Sequence, residues 1–296
     1  MQYRFTTPTG ITVTRRARAL SYATALAGLP ERLDRERGAM FSSGVDYPGR
    51  YTRWEFGFVA PPLEIVGRER TLVVRALNPR GEKLLAILAP VLRDTAHARL
   101  AGEDPREFTL DIAASEGVFA EEERSLQPSL FSPLRRLIGE FRGIEDTFLG
   151  LYGAFGYDLL FRFEPIALAR PRPPETKDLH LFLPDTMFVV DRRKEQAFRY
   201  DYEFSAGETN TLGVRTQPFG APIAGPKGGE GRNAPAEIVS DHTPEEYASL
   251  VDRARERMRV GDIFEVVLSR NFERPYDGLP SSLFQRLKTV NPSPFE

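Results

Sequence analysis

The 296-residue sequence has no cysteine, and that absence excludes disulfides, thiolate zinc sites and cysteine nucleophiles together. It also has no apolar run near the ~20 residues a membrane span needs, and its opening MQYRFTTPTGITVTRR lacks the apolar core of a signal peptide. We therefore expect a cytoplasmic chain with no membrane partner. An excess of one charge is missing too: 40 Lys and Arg stand against 42 Asp and Glu, a net charge of -2. Without a basic field there is nothing to collect nucleic acid or anionic lipid, so small molecules and protein partners are the expected ligands. Tryptophan is nearly absent, with one residue beside 21 Phe and 10 Tyr, while 41% hydrophobic and 28% charged residues are ordinary for a folded globular chain.

What is present is an alternation of short β-like runs and helical stretches over the first 204 residues, which reads as an α+β domain. The candidate strands include Ile11–Thr14, Trp54–Val59, Thr71–Ala76, Phe108–Ile112 and Phe188–Val190. Leu84, Leu85, Leu88, Val91 and Leu92 recur at helical spacing, as do Leu134, Leu137, Ile138 and Phe141, and both stripes are expected in the core. From Ser205 the chain turns rich in Gly, Pro and small polar residues, and 205–240 reads as a linker. A second domain is expected to begin at 241. Thr243-Pro244-Glu245-Glu246 is a helix start with a capping box, and Tyr247, Leu250, Val251, Ala254 and Met258 follow as its buried stripe. Gly261 ends that helix, and Ile263–Leu268 reads as an apolar strand.

Motif chemistry is sparse. His97, His180 and His242 are scattered without metal-ligand spacing, so incidental surface roles are expected, and no GxSxG elbow occurs. Gly225–Gly231 lacks the Lys-Ser or Lys-Thr ending of a phosphate-binding loop. Gly150, Gly153 and Gly156 have GxxGxxG spacing, but aromatic residues crowd the turn and the glycines read as admitting close backbone packing in a strand. Glu121-Glu122-Glu123 and Glu245-Glu246 read as solvated surface or a helix N-terminus, and no separated carboxylates stand out as a magnesium site.

Two later motifs carry more. Gly261-Asp262-Ile263-Phe264-Glu265-Val266-Val267-Leu268-Ser269-Arg270 resembles the opening strand of the chorismate-binding domain, and Asn291-Pro292-Ser293-Pro294-Phe295 is similar to that family's NPSPY-type motif. Upstream, Gly156-Tyr157-Asp158 and Leu183-Pro184-Asp185 resemble its GYD and LPD segments, and Met40-Phe41-Ser42-Ser43 its LLES segment. Asp46–Trp54 resembles the variant in which synthase and glutamine amidotransferase are fused. Two departures stand out: Glu265 replaces the commoner Gln, and Ser42 the usual Glu. The sequence is therefore identified as similar to anthranilate synthase component I over most of its length.

The resemblance implies an α+β fold of antiparallel sheets flanked by helices, incomplete at the C-terminus, with residues 1–204 as the component I front domain and 241–296 as the start of the chorismate-binding domain. It implies a lyase that converts chorismate, with glutamine or ammonia, to anthranilate and pyruvate. It further implies Mg2+, held by ligands beyond residue 296 together with the acid-base residues, and a glutamine amidotransferase partner. The chain alone is then expected to be inactive, with no catalytic or metal residue of its own. Ser43, Arg53, Asn291, Pro292, Pro294 and Phe295 are the residues the resemblance assigns to a feedback site for tryptophan, and the loss of a carboxylate at Ser42 is expected to weaken it. Aminodeoxychorismate synthase or a related amino-chorismate enzyme stays open as an alternative, as does a non-catalytic tryptophan-binding or partner-docking module.

Overall fold

The computed structural model describes residues 2–45, 53–114, 119–124, 126–142, 146–163, 168, 171–220 and 237–296. The chain divides into two compact units, 1–224 together with 284–296, and 225–283.

The first unit runs β1 (Gln2–Thr6), β2 (Thr12–Leu20), α1 (Leu29–Leu33), β3 (Gly38–Phe41), β4 (Trp54–Val59), β5 (Leu63–Arg68), β6 (Thr71–Ala76), α2 (Pro79–Arg93), β7 (Ala98–Glu103) and β8 (Glu107–Ile112). It continues through α3 (Glu121–Arg124), α4 (Phe131–Glu140), β9 (Tyr152–Phe155), a short 3-10 helix Tyr157–Arg162, β10 (Leu179–Leu183), β11 (Thr186–Asp191), β12 (Gln196–Ala206) and β13 (Thr209–Asn210). The strands form two sheets in which every pairing is antiparallel. One has the order β1-β2-β12-β11-β4-β3, with β13 on β12, and the other β7-β8-β6-β5-β10-β9. This is the antiparallel α+β architecture the sequence implied.

Alternation explains the sheets. Thr71–Ala76 buries Leu72, Val74 and Ala76, and Glu107–Ile112 buries Phe108, Leu110 and Ile112, every second residue turned to the core. One hydrophobic cluster is shared by both sheets and the helices, from Val13, Phe58 and Phe204 to Ile65, Leu181 and Leu88. Helix α2 enters it with all five residues of the expected stripe buried. Its start is fixed by Asn78, whose side chain accepts from the Gly81 amide at 2.8 Å, and by Pro79 in the first turn.

Several expectations are corrected. On α4 the inward residues are Leu134, Leu137 and Glu140, and Ile138 is 55% exposed. The helix turns this way because the Glu140 carboxylate accepts from Thr9 and pairs with Arg136 (3.2 Å), which holds the β1–β2 turn. The stretch from Ser205 is not uniformly linker: Ser205 and Ala206 pair with Asn210 and Thr209, and Phe219 packs on the core cluster. Residues 221–236, including the Gly225–Gly231 loop, lie outside the described residues.

The second unit holds β14 (Val239–Ser240) paired with β15 (Phe272–Glu273), and α5 (Pro244–Arg259). Thr243 and Glu246 close the expected capping box, with the Glu246 carboxylate accepting the Thr243 amide at 2.8 Å and Thr243 Oγ1 the Glu246 amide at 3.2 Å. The expected apolar stripe of α5 is not buried, and Ile263–Leu268 forms no strand. Phe264 is 95% exposed. Among the described residues no neighbouring strand takes its amides and carbonyls, and an apolar run without that pairing gains nothing from extended order. Helix α6 (Pro280–Val290) begins in this unit and ends in the first.

Candidate functional site

The first unit brings together two segments far apart in sequence. Strand β3 ends at Phe41, and Ser42 continues it. The Ser42 amide donates to the Glu296 carbonyl and the Glu296 amide to the Ser42 carbonyl, both at 2.9 Å. Gly44 then donates to the Ser293 carbonyl at 2.9 Å. The approach is close: a Cβ on Gly44 would lie 2.4 Å from Glu296 Oε1 and 3.0 Å from Pro292 Cβ, so a larger residue would make the Glu296 carboxylate swing aside.

Side chains reinforce the join. Ser42 Oγ donates to Glu296 Oε2 (3.2 Å), and Glu296 Oε1 accepts the Ser293 amide (3.0 Å). Lys288, on the last turn of α6, lies 3.7 Å from both Glu296 and Glu55 of β4, and Glu55 also takes Arg192 at 2.5 Å. Gln285 donates to Glu31 at 2.9 Å.

Behind this junction stands an aromatic wall. Phe41 stacks on Phe56 at 5.1 Å between ring centroids, and Tyr152 lies 5.9 and 5.6 Å from these two rings. Burial, with Asp146 nearby, holds the Tyr152 phenol above its ordinary pKa, so the wall carries no charge there at neutral pH.

Of the residues named from sequence, Ser43 is 3% exposed, with Oγ donating to the Val45 carbonyl at 3.2 Å. Asn291 closes α6 by donating its amide to Leu287 at 2.8 Å. Pro292 lies against Gly44, Pro294 is half-buried, and the Phe295 ring is exposed. Arg53 stands apart: its guanidinium pairs with Asp191 at 3.0 Å and lies 4.4 Å over the Trp54 ring. Burial would push the Asp191 carboxyl up, but the hydrogen bond from Arg53 and the amides of Lys194 and Arg193 hold it below the usual carboxylate range. Residues 46–52 lie outside the described residues. Sequence reasoning missed Gly44 and Glu296, the two residues that make the close approach; only pairing across 254 positions reveals them.

Other polar clusters are structural. His180 Nε2 meets the buried Glu64 carboxylate at 2.6 Å. Arg80, at the start of α2, pairs with Asp185 of the Leu-Pro-Asp segment and with Glu203 (3.0 Å). Among the described residues no three His, Asp or Glu side chains converge to hold a metal. The described carboxylates therefore do not fit a magnesium site. Among the described residues, too, no helix is long and apolar enough to cross a membrane.

Residues 97–296 match the family of chorismate binding enzymes. The chain belongs to that family. Over 99% of its length it is 42% identical to the anthranilate synthase of Azospirillum brasilense, of which it covers 39%. It is 30% identical over 79% of its length to anthranilate synthase component 1 of Serratia marcescens, covering 45% of it. The pyocyanine-specific component 1 of Pseudomonas aeruginosa is 28% identical over 94% of the chain, which covers 52% of it. The chain thus spans about two fifths to one half of the curated relatives it matches.

Proposed function

We propose that the chain serves anthranilate synthesis, in which chorismate, with glutamine or ammonia, gives anthranilate and pyruvate in the cytoplasm, and that this region is its tryptophan-sensing part. The observation that carries the reading is the two-way pairing of Ser42 with Glu296, which sets Met40–Gly44 against Asn291–Glu296. The high identity to the Azospirillum brasilense enzyme over nearly the whole chain supports it.

In this reading the chain's own residues bind and report. The prolines at 292 and 294 fix the loop backbone, the aromatic wall at Phe41 and Phe56 suits an indole, and the hydroxyls of Ser42 and Ser43 with the Glu296 carboxylate suit the charged ends of an amino acid. The chain covers 39% of that enzyme, and in this reading chemistry on chorismate, its magnesium and the amidotransferase fall to the remainder. By itself the chain is expected to make no anthranilate, because charge on the departing oxygen would go unstabilised.

The test is a fluorescence assay of anthranilate with chorismate and ammonium salts, run on the 296-residue chain and on a longer enzyme of this family carrying it as its front region. The reading predicts no product from the chain, anthranilate from the longer enzyme, and inhibition of the latter by tryptophan. A non-aromatic amino-chorismate product, or an enzyme indifferent to tryptophan, would overturn it.

A further inference from the structure

The outer face of the β2–β12 ladder carries a charge arrangement that the reading above does not use. Arg18 of β2 lies directly opposite Arg199 of β12, and Arg16 opposite Asp201. Like charges facing each other across a ladder are unfavourable, and residues two apart on a strand share a face, so Arg16, Arg18 and Arg199 crowd one surface. Asp201 does not relieve β2. Its carboxylate is taken by Arg199 of its own strand at 2.8 Å and by Thr186 Oγ1 at 3.0 Å. Among the described residues, Arg16 and Arg18 make no ion pair.

These side chains line a cleft of about 510 Å³ whose back is Arg80, Asp185 and Glu203. The back is already satisfied. Arg80 is held by both carboxylates and by the carbonyls of Thr211 and Tyr202, each at 2.6 Å, and Thr211 Oγ1 donates to Glu203 at 2.7 Å. Four guanidiniums therefore face three carboxylates, all of them engaged, and the surplus positive charge sits on the two unpaired arginines of β2.

From this we infer an anion site: the cleft takes a small dianion, of the phosphate or dicarboxylate class, bridged between Arg16 and Arg18 and flanked by Arg199. Guanidinium forks bind such oxyanions through paired, charge-assisted hydrogen bonds. The Thr186 hydroxyl can stay on Asp201, since the oxyanion is held from the β2 side.

The test is calorimetric titration of the chain with inorganic phosphate and, separately, succinate, at constant ionic strength set with chloride. Binding of one or both is expected, and which one binds identifies the class. The double substitution Arg16→Ala and Arg18→Ala is expected to weaken it at least tenfold. Arg16→Lys with Arg18→Lys, which keeps the charge but loses the forks, should give a smaller loss and guards against a folding artefact, as do unchanged circular dichroism spectra. Arg4→Ala, one strand away, should leave binding intact. Absence of binding by both anions, undiminished binding in the double alanine variant, or an equal loss in Arg4→Ala would overturn the proposal.

Discussion

Ser42 and Glu296 bond to each other as neighbouring strands do, each amide donating to the other's carbonyl at 2.9 Å. Ser43, one residue on, is thereby fixed in a nearly closed setting at the mouth of the junction. Replacing its hydroxymethyl with a ring overfills that space, at a cost of about 1–3 kcal/mol, which a bound ligand or the loop must absorb. In a tryptophan-inhibited enzyme carrying this region, Ser43→Phe is expected to raise the tryptophan concentration for half-inhibition about tenfold or more, since each ~1.4 kcal/mol is one decade. Turnover without tryptophan should hardly change. Equal sensitivity in the mutant would remove Ser43 from the site.

Gly153 answers the question of why glycines punctuate β9. A Cβ there would lie 2.1 Å from the His180 carbonyl oxygen and 2.9 Å from Leu181 Cα, so the two backbones would have to part. Gly153→Ala is expected to destabilise the first unit by roughly 1–3 kcal/mol. Urea denaturation would show it as a lower midpoint at unchanged slope, and an unchanged midpoint would count against the close approach.

The strands with clean alternation were legible: Trp54–Val59 and Thr71–Ala76 stand where the residues put them, because branched and aromatic side chains every second position define a buried face. β2 was legible only at its start. Beyond Thr14 it reads Arg15-Arg16-Ala17-Arg18, a surface too polar to signal a strand, yet it forms the long central pairing with β12. The stripe of α5 reads as core in the sequence yet is not buried, because amphipathicity says which face is apolar, not whether a partner covers it. For the candidate site, the two segments were legible as motifs, whereas their junction was not. It rests on Gly44 and Glu296, whose contacts come from the path of the chain.

Arg53 and Asp191 supply a pH test. The folded Asp191 carboxyl lies below its ordinary pKa, so its pairing stabilises the protein at pH values above the unfolded value of about 3.9 and is lost as pH falls through the lower, folded value. Arg53 is 44% exposed on its side chain, and solvent screening limits the pair to about 0.5–1 kcal/mol. Arg53→Met should therefore lower the melting temperature at pH 7 and converge on the unmutated chain in strong acid. A constant difference across the pH range would assign the loss to packing on Trp54 instead.

The last prediction separates fold from linker after Ser205. The 11-residue strand β12 continues to Ala206, and the turn that follows returns Thr209 and Asn210 to pair with Ala206 and Ser205. Thr211 is then buried, its hydroxyl accepting the Phe204 amide at 2.9 Å and its carbonyl accepting Arg80 at 2.6 Å. Further along, the Phe219 amide donates to Leu77 at 2.8 Å, and its ring lies 4.0 Å beneath the Arg106 guanidinium. A fragment ending at Ser205 strips a carbonyl from a buried guanidinium and exposes the core beside Leu77. One ending at Gly220 keeps both. Losing one partner of a buried charged group costs about 1–3 kcal/mol, and the stacked ring and paired strand add to it. Because both fragments lack residues 284–296, the comparison isolates 206–220. The longer fragment is expected to melt at least ~5 °C higher, at ~2–4 °C per kcal/mol for a domain of this size. Coincident melting curves would mean that the chain from Ser205 onward behaves as linker.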